Sequence, residues 1–545
     1  MTKFIFVTGG VLSGLGKGTV AASIAKLLQF RGFSVSMIKC DPYLNVDAGT
    51  MNPIEHGENF VCEEVWEFKP ARGFSFRIAE VDQDFGTYER FTGEKTHPSQ
   101  NITSGQIYLS VILKERVGEY LGKTVQIIPH ITNEIKRRIL SIAEKGNDIV
   151  IVEIGGTVGD IEGMPFLEAI RQLRNQLDRE DTFLVHVTYV PYLRTIKQLK
   201  TKPTQHSVQR LLESGLTPDS IVTRSEIPLS ESERRKISLL TGVPYQAVIS
   251  APDIDVVYAL PLVFEQQGFG EYIIKKLGLK TRVDYKKGLR EWETIIRRFL
   301  EYTDVINIAL VGKYTRIVDS YISINEALKH AGAHENVRVN ISLIDAENYD
   351  VDDLQKHDGI LLTPGFGVRA TEGMIKAATY ALREKIPFLG ICFGAQLATV
   401  AFAREIMGWT QANTTEVNPR TPYPVVDLLP EQKKIVEKGG TMRLGGHKIY
   451  IKPNTKLFDA YKEKVIVERF RHRYHIIPEY AKMAEEKGLI VSAVDERNRI
   501  INAIELKDFW AVGVQFHPEY KSRPLRPSPI YVAFIKAVLD GRENK

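Results

Sequence analysis

Phe4-Ile5-Phe6-Val7-Thr8-Gly9-Gly10-Val11-Leu12-Ser13-Gly14-Leu15-Gly16-Lys17-Gly18-Thr19 opens the chain with an aromatic and β-branched run and a glycine-rich turn, and the helix-forming stretch Ala21–Phe30 follows. Strand, glycine-rich loop and helix in that order form the first crossover of a parallel α/β sheet. Glycine amides, a lysine and a helix N-terminus converge in the loop, a combination that holds polyphosphate. The spacing departs from the common phosphate loop: Val11 stands where the first glycine belongs, and Gly18 separates Lys17 from Thr19.

Outward from this loop, short β-branched runs at Ser34–Lys39, Asp148–Ile154, Phe183–Tyr189 and Ser220–Thr223 alternate with helical stretches such as Ile131–Glu144. The alternation predicts a doubly wound, mainly parallel sheet over residues 1–280. Residues 281–303 are charged, lack a strand pattern and read as a linker with an amphipathic helix. Runs at Ile306–Val311, Arg338–Ile344, Gly359–Thr363 and Phe388–Gly390 predict a second open α/β sheet over residues 304–545. A length of 545 residues suits two cores of that size. Apolar residues make up 43% and charged residues 26%, and no stretch approaches the run of apolar residues a membrane span needs. A net charge of +5 over this length is weak for a nucleic-acid binder, so small anionic ligands are the expected partners. Residues 1–10 read as a strand, not an export signal. With only Cys40, Cys62 and Cys392, scattered and in no Cys-x-x-Cys spacing, free thiols and a cytoplasmic setting are expected.

Two carboxylates stand out for a divalent cation, which prefers carboxylate oxygens and retained waters. Glu153 follows the apolar run Ile149-Val150-Ile151-Val152, at the carboxyl end of a strand where open α/β sheets bind ligands. Asp84 lies in Asp82-Gln83-Asp84-Phe85-Gly86, a loop acid without further definition. In the second half, Gly390-Ile391-Cys392-Phe393-Gly394 places cysteine between glycines at a strand-to-helix turn, a nucleophile elbow whose helix amides point at a developing oxyanion. With 41 Gly and 3 Cys in the chain, chance supplies such a pattern only about 0.02 times. Gln515-Phe516-His517-Pro518-Glu519 offers a base and an acid to orient it, since Pro518 favours an extended His517 and residues two apart then face one side. Thr363-Pro364-Gly365-Phe366-Gly367 offers a further amide donor at Gly365, or is a plain loop.

Along nearly its whole length the chain resembles CTP synthases. The blocks that carry the likeness include Phe6-Val7-Thr8-Gly9-Gly10, Asp41-Pro42-Tyr43-Leu44-Asn45-Val46-Asp47, His56-Gly57-Glu58, Tyr88-Glu89-Arg90-Phe91, Glu153 through Glu162, and Lys200-Thr201-Lys202-Pro203-Thr204-Gln205-His206-Ser207. The resemblance implies an amidoligase half of the dethiobiotin-synthetase type and a triad-type, class I glutamine amidotransferase half. It implies ATP bound by Gly14, Leu15, Gly16, Lys17, Gly18 and Thr19, with Asp84 and Glu153 holding Mg²⁺ and Lys17 and Lys39 acting on the transferring phosphoryl group. Pro252, Asp253 and Ile254 would lie on the adenine side. Lys200, Thr201, Lys202, Pro203, Thr204, Gln205 and Lys236 would grip the UTP triphosphate, and Ser13, Asp160, Ile161 and Glu162 mark the region for UTP and the feedback inhibitor CTP. Glutamine would be hydrolysed by Cys392, His517 and Glu519 and positioned by Gly365, Phe393, Gly394, Ala395, Gln396, Glu416 and Arg473. GTP as activator, a homotetramer built as a dimer of dimers, and a shielded passage for ammonia are further implications of the family. Neither nucleic acid nor membrane is an expected partner.

Two departures from the family pattern stand out. The loop expected to read Pro-Gly-Gly-Phe-Gly has one glycine fewer at Pro364-Gly365-Phe366-Gly367, and Val65–Ala79 is longer than the acidic turn usual there. Two other readings remain open at this point: an ATP-dependent amidating synthetase acting on a different acid, such as a corrinoid carboxylate, and a nucleotide-driven scaffold with a vestigial glutaminase half.

Overall fold

Ile149–Ile154 is buried at every position, as a strand covered on both faces must be. It sits inside a seven-stranded sheet ordered Val248–Pro252, Ser220–Ser225, Thr182–Tyr189, Lys3–Gly9, Ile149–Ile154, Val35–Asp41 and Asn101–Thr103. Every neighbouring pair is parallel. Register does the first work for function here: Glu153 lies between Val7 on one side and Lys39 on the other, at the carboxyl ends of three adjacent strands. The helices Thr132–Ala143 and Met164–Gln176 bury Ile135, Ile139, Phe166 and Ile170 against Phe4, Phe6, Val150 and Val152.

These are features of a computed structural model that describes residues 2–315, 317–433, 439–497 and 499–543. By its contacts the chain forms two units, one of Met1–Ala48, Trp66–Ile78 and Asp84–Arg297, the other of Gly49–Val65, Ala79–Gln83 and Arg298–Lys545. The charged stretch after residue 280 contains the helix Tyr285–Leu300. Its Trp292, 2% exposed, donates from Nε1 to the Tyr258 carbonyl at 2.7 Å and packs edge-on against Phe30 and Tyr258. The long segment Val65–Ala79 belongs to a hairpin: Phe60–Phe68 and Phe76–Val81 form a two-stranded sheet. Trp66 and Phe68 lie under the Arg138 guanidinium at 5.0 and 4.8 Å, which gives the aromatic residues of the insertion a partner.

The second unit holds a nine-stranded sheet ordered Val337–Asp345, Asp304–Gly312, Gly359–Leu362, Phe388–Ile391, Ala511–Val514, Ile501–Leu506, Leu489–Val494, Arg443–Ile451 and Val465–His472. The first five strands run parallel, and the remaining pairings are antiparallel. Leu362 pairs with Gly390, and Ile391 with Val514. The residues that leave the carboxyl ends of these strands, Lys313, Thr363, Cys392 and Gln515, therefore emerge side by side. No helix among the described residues is long and apolar enough to cross a membrane.

Candidate functional site

In the first unit the glycine-rich loop leaves the strand Lys3–Gly9 and enters the helix Lys17–Phe30. Gly14 and Gly16 take φ of 72° and 78°, left-handed values that suit glycine, and Val11 is forced to 81°. The helix begins without a side-chain cap or an acidic first turn, so its amide end stays open to an anion. Lys17, 9% exposed, donates to the Gly156 carbonyl at 2.7 Å. Burial lowers its pKa, opposed by the Glu153 carboxylate.

Lys39 pairs with Asp84 and lies 3.5 Å from Glu153 and 3.9 Å from Asp41. Glu153 also accepts from the Tyr88 hydroxyl, and burial raises its pKa, with Lys39 pulling it down and Asp84 pushing it up. A side chain at Gly18 would collide with the Asp84 carboxylate, so glycine at that position lets the helix start against the acid. The sequence left Asp84 undefined; the structure puts it within reach of Lys39 and the phosphate loop. Among the described residues no group of three or more His, Cys, Asp or Glu gathers as a metal cage. Asp84 and Glu153 do fit Mg²⁺, which needs few carboxylates and completes its shell with water and phosphate oxygens.

Gly16, Thr19, Asp253 and Ile254 line one cleft of about 240 Å³ together with Arg224, Val257 and Leu260. Arg224 donates to the Ala251 and Pro252 carbonyls at 2.9 and 3.1 Å and to Asp253 at 2.8 Å. Arg224 escaped the sequence reading although it occupies the carboxyl end of its strand, the same signal that marked Glu153. So did His186, which is buried, held down to about pKa 3 by burial and the Lys17 charge, and bonded to Thr8 Oγ1 at 2.9 Å and Ser207 Oγ at 2.8 Å. Through this imidazole the phosphate-loop strand is joined to the helix Lys202–Glu213, which starts with Pro203 and carries Thr204 and Gln205. Lys200 bonds Gln198 at 2.8 Å in the turn before it. Ser13 and Ile161 are exposed, and Asp160 accepts from the Thr157 amide at 3.2 Å on the loop beyond Glu153. Lys236 is exposed on the helix Glu231–Thr241, and among the described residues no hydrogen bond or ion pair joins it to Lys200–Gln205.

In the second unit Cys392 adopts φ 51° and ψ −104°, a conformation costing roughly 1–3 kcal/mol for a residue other than glycine. Its amide is anchored to the Val514 carbonyl at 2.7 Å. A side chain at Gly394 would collide with the Leu362 carbonyl, and one at Gly390 would come within 2.9 Å of Gly394, so both glycines of the motif are needed sterically. The helix Phe393–Glu405 follows at once, carrying Gly394, Ala395 and Gln396 in its first turn. Gln396 donates to the Tyr474 carbonyl at 2.9 Å and to Gln515 at 3.0 Å, and Gln515 in turn reaches the Cys392 sulfur at 3.5 Å.

His517 Nδ1 lies 2.7 Å from Glu519 Oε1, and both residues are 2% exposed. The pair forms as expected but by a different route, because Pro518 opens the short 3₁₀ turn Pro518–Lys521 instead of extending the chain. Burial disfavours the imidazolium, yet Glu519 and the Cys392 sulfur outweigh it and push the pKa up to about 10. Nε2 has no hydrogen-bond partner by distance and angle among the described residues, so the sulfur acts on it electrostatically. The Tyr520 ring stacks on the imidazole, centroids 5.1 Å apart, and its hydroxyl donates to the Asn59 carbonyl at 3.1 Å. A thiol, a histidine and a carboxylate in this order make an activated nucleophile with an oriented base.

Cys392, His517 and Gly365 face a cavity of about 230 Å³ that Glu58, Tyr314 and Arg471 also line. Glu416 accepts from the Gly367 amide at 2.6 Å, and burial raises its pKa. Arg473 is directed elsewhere, to Gln432 at 2.6 Å and Thr441 at 2.9 Å, while Arg471 binds Glu80 at 2.6 Å. Lys313, another residue at a strand's carboxyl end that the sequence reading passed over, holds the Phe366 and Gly367 carbonyls.

A family model described as CTP synthase N-terminus matches residues 3–279, and one described as glutamine amidotransferase class-I matches residues 316–537. The chain is 50% identical over 556 residues to a CTP synthase of Pyrococcus abyssi, covering 100% of this chain and 99% of that one. It is 51% identical over 543 residues to a CTP synthase of Thermococcus kodakarensis, covering 98% of each, and 50% identical over 547 residues to one of Archaeoglobus fulgidus, covering 100% and 99%. Likeness of this extent, spanning both units and both of the sites they contain, places the chain in the CTP synthase family.

Proposed function

We propose that this protein makes CTP from UTP, using ATP to activate the uracil O4 and ammonia from glutamine to displace the phosphate, with residues 1–280 as the amidoligase, 281–303 as linker and 304–545 as the glutaminase. What carries the reading is the presence in one family-matched chain of the Lys17, Lys39, Asp84 and Glu153 cluster and of the Cys392, His517 and Glu519 line.

In the glutaminase, the Cys392 sulfur attacks the glutamine carboxamide, and the oxygen, as it gains charge, takes hydrogen bonds from the Phe393 and Gly365 amides. His517 protonates the departing ammonia and then activates the water that hydrolyses the thioester, while Glu519 fixes its tautomer. Glu416 and Arg473 answer the substrate's α-amino and α-carboxylate groups, Arg473 exchanging Gln432 and Thr441 for the carboxylate. In the ligase, Gly14 through Thr19 cradle the ATP phosphates beside the cleft formed with Asp253 and Ile254, and Pro252 completes the adenine side. Lys17 and Lys39 neutralise the transferring phosphoryl group. Asp84 and Glu153 would hold Mg²⁺, which supplies charge neutralisation across the phosphate oxygens. Lys200–Gln205 and Lys236 take the UTP triphosphate, and Ser13 with Asp160, Ile161 and Glu162 serve UTP and inhibitory CTP. Activation by GTP, a homotetrameric assembly and a cytoplasmic setting belong to the same reading.

The test is the absorbance change from UTP to CTP with ATP, Mg²⁺ and glutamine, repeated without UTP and without ATP. A rise that needs both nucleotides is expected. No rise with glutamine, GTP and ammonia each supplied would assign a different acceptor. Cys392→Ala should abolish synthesis from glutamine and spare synthesis from added ammonia, and loss of both would overturn the separation of the two chemistries.

A further inference from the structure

Lys313 is 2% exposed at the end of the strand Asp304–Gly312 and forms no ion pair among the described residues. Glu416 attracts the charge without touching it, and a buried ammonium with no carboxylate in contact costs several kcal/mol unless its hydrogens are satisfied. Here they are satisfied by one loop. Nζ donates to the Phe366 carbonyl at 2.9 Å and the Gly367 carbonyl at 2.8 Å, and the cation sits 4.4 Å from the centre of the Phe393 ring, the residue after Cys392.

The rest of that loop is fixed from the other side. Glu416 takes the Gly367 amide, and Arg369 donates to the Lys313 carbonyl at 2.5 Å. A Cβ at Gly365 would lie 3.2 Å from both Cδ and Cε of Lys313, so the lysine stem packs on the glycine that lines the cavity with Cys392.

We propose that Lys313 is a positioning residue for glutamine hydrolysis: by tying down the Phe366 and Gly367 carbonyls and the Phe393 ring, it aims the Gly365 amide at the oxygen that gains charge when Cys392 attacks. The proposal rests on the glutaminase reading, in which the donor acts in the transition state. Loss of the brace then lowers kcat and leaves KM for glutamine in place, because an interaction made only in the transition state does not bind the ground state.

The experiment compares Lys313→Met, which keeps the stem and removes the charge, with Lys313→Arg and the unaltered protein. It reads kcat and KM for glutamine hydrolysis and the rate at which iodoacetamide alkylates Cys392. In Lys313→Met, kcat should fall about 10²–10³-fold, the loss seen when one oxyanion donor is removed, with KM within threefold and alkylation at the parent rate. Lys313→Arg, still cationic, should recover most of kcat. A kcat within twofold of the parent, a change carried by KM, or a parallel fall in alkylation would each overturn the proposal. Should Lys313→Met fail to fold, Lys313→Gln, which also removes the charge, is read by the same kcat and KM criteria. An unaltered protein that hydrolyses no glutamine would instead sink the glutaminase reading itself.

Discussion

At His517, one side chain carries both an electrostatic and a catalytic consequence. Its folded pKa, about 10, lies above the ordinary 6.5, raised against burial by Glu519 and the Cys392 sulfur. A raised value means that the imidazolium's interactions stabilise the fold fully below pH 6.5, and that this contribution is lost as pH rises through 10. The same proton serves the departing ammonia, so glutamine hydrolysis should keep its rate far into the alkaline range and fall near pH 10. In Glu519→Gln the carboxylate is gone and burial meets less opposition. The alkaline limb should move to lower pH, and kcat at pH 8 should drop by about 10²–10⁴-fold, the share that a positioned acid and base contribute. A pH profile of kcat on both proteins checks this, and an alkaline limb that stays in place would remove His517 from the role.

At the scale of elements, the phosphate loop and the helix Lys202–Glu213 are locked by one close approach. A Cβ at Gly10 would collide with Ser207 Oγ, whose partner is the neutral His186. Gly10→Ala should therefore cost about 1–3 kcal/mol, the price of overpacking a filled interior, and should weaken ATP-dependent synthesis. Adding Ser207→Ala removes the colliding oxygen, so the double variant should recover most of the stability, a non-additivity that denaturant titration of the single and double variants would reveal. Equal and additive losses would mean that the two elements are not coupled here. Gly10 was legible only as a turn glycine, because its demand is set by Ser207, nearly two hundred positions away. What local chemistry dictates was readable: the strand Ile149–Ile154 from its unbroken apolar run, the helix after Gly16, the elbow at Cys392 from two flanking glycines. The antiparallel strands Arg443–Ile451 and Val465–His472 escaped, since Gly445, Gly446, His447 and Lys448 break the pattern of the first and the short run Val465-Ile466-Val467 gives way to Glu468, Arg469, Arg471 and His472 in the second. Lys313 and Arg224 escaped because a basic residue at the end of a strand becomes informative only when the loop it braces or the cleft it lines is seen.

Over the whole molecule, sequence order and packing part company at Gly49–Val65, which lies within the stretch matched by the N-terminal family model yet clusters with the second unit. Its attachments are specific: Phe60, fully buried, meets the Tyr520 ring edge-on at 5.0 Å, Arg469 donates to the Val61 carbonyl at 2.9 Å, and Glu58 accepts from Ser323. Each unit has its own apolar clusters, Phe6 and Val152 in one, Leu389 and Val514 in the other, so heating should unfold the chain in two transitions. ATP with Mg²⁺ at a hundred times its dissociation constant should raise the first unit's transition by the equivalent of about 2.7 kcal/mol and leave the other nearly fixed. Phe60→Ala should then destabilise by about 3–5 kcal/mol the transition that ATP does not move, as truncating a buried phenylalanine does. Calorimetry of the full chain with and without nucleotide separates the cases. If the variant lowers the ATP-sensitive transition instead, residues 49–65 fold with the first unit, and the stacking of Tyr520 on His517 is set from within the C-terminal half alone.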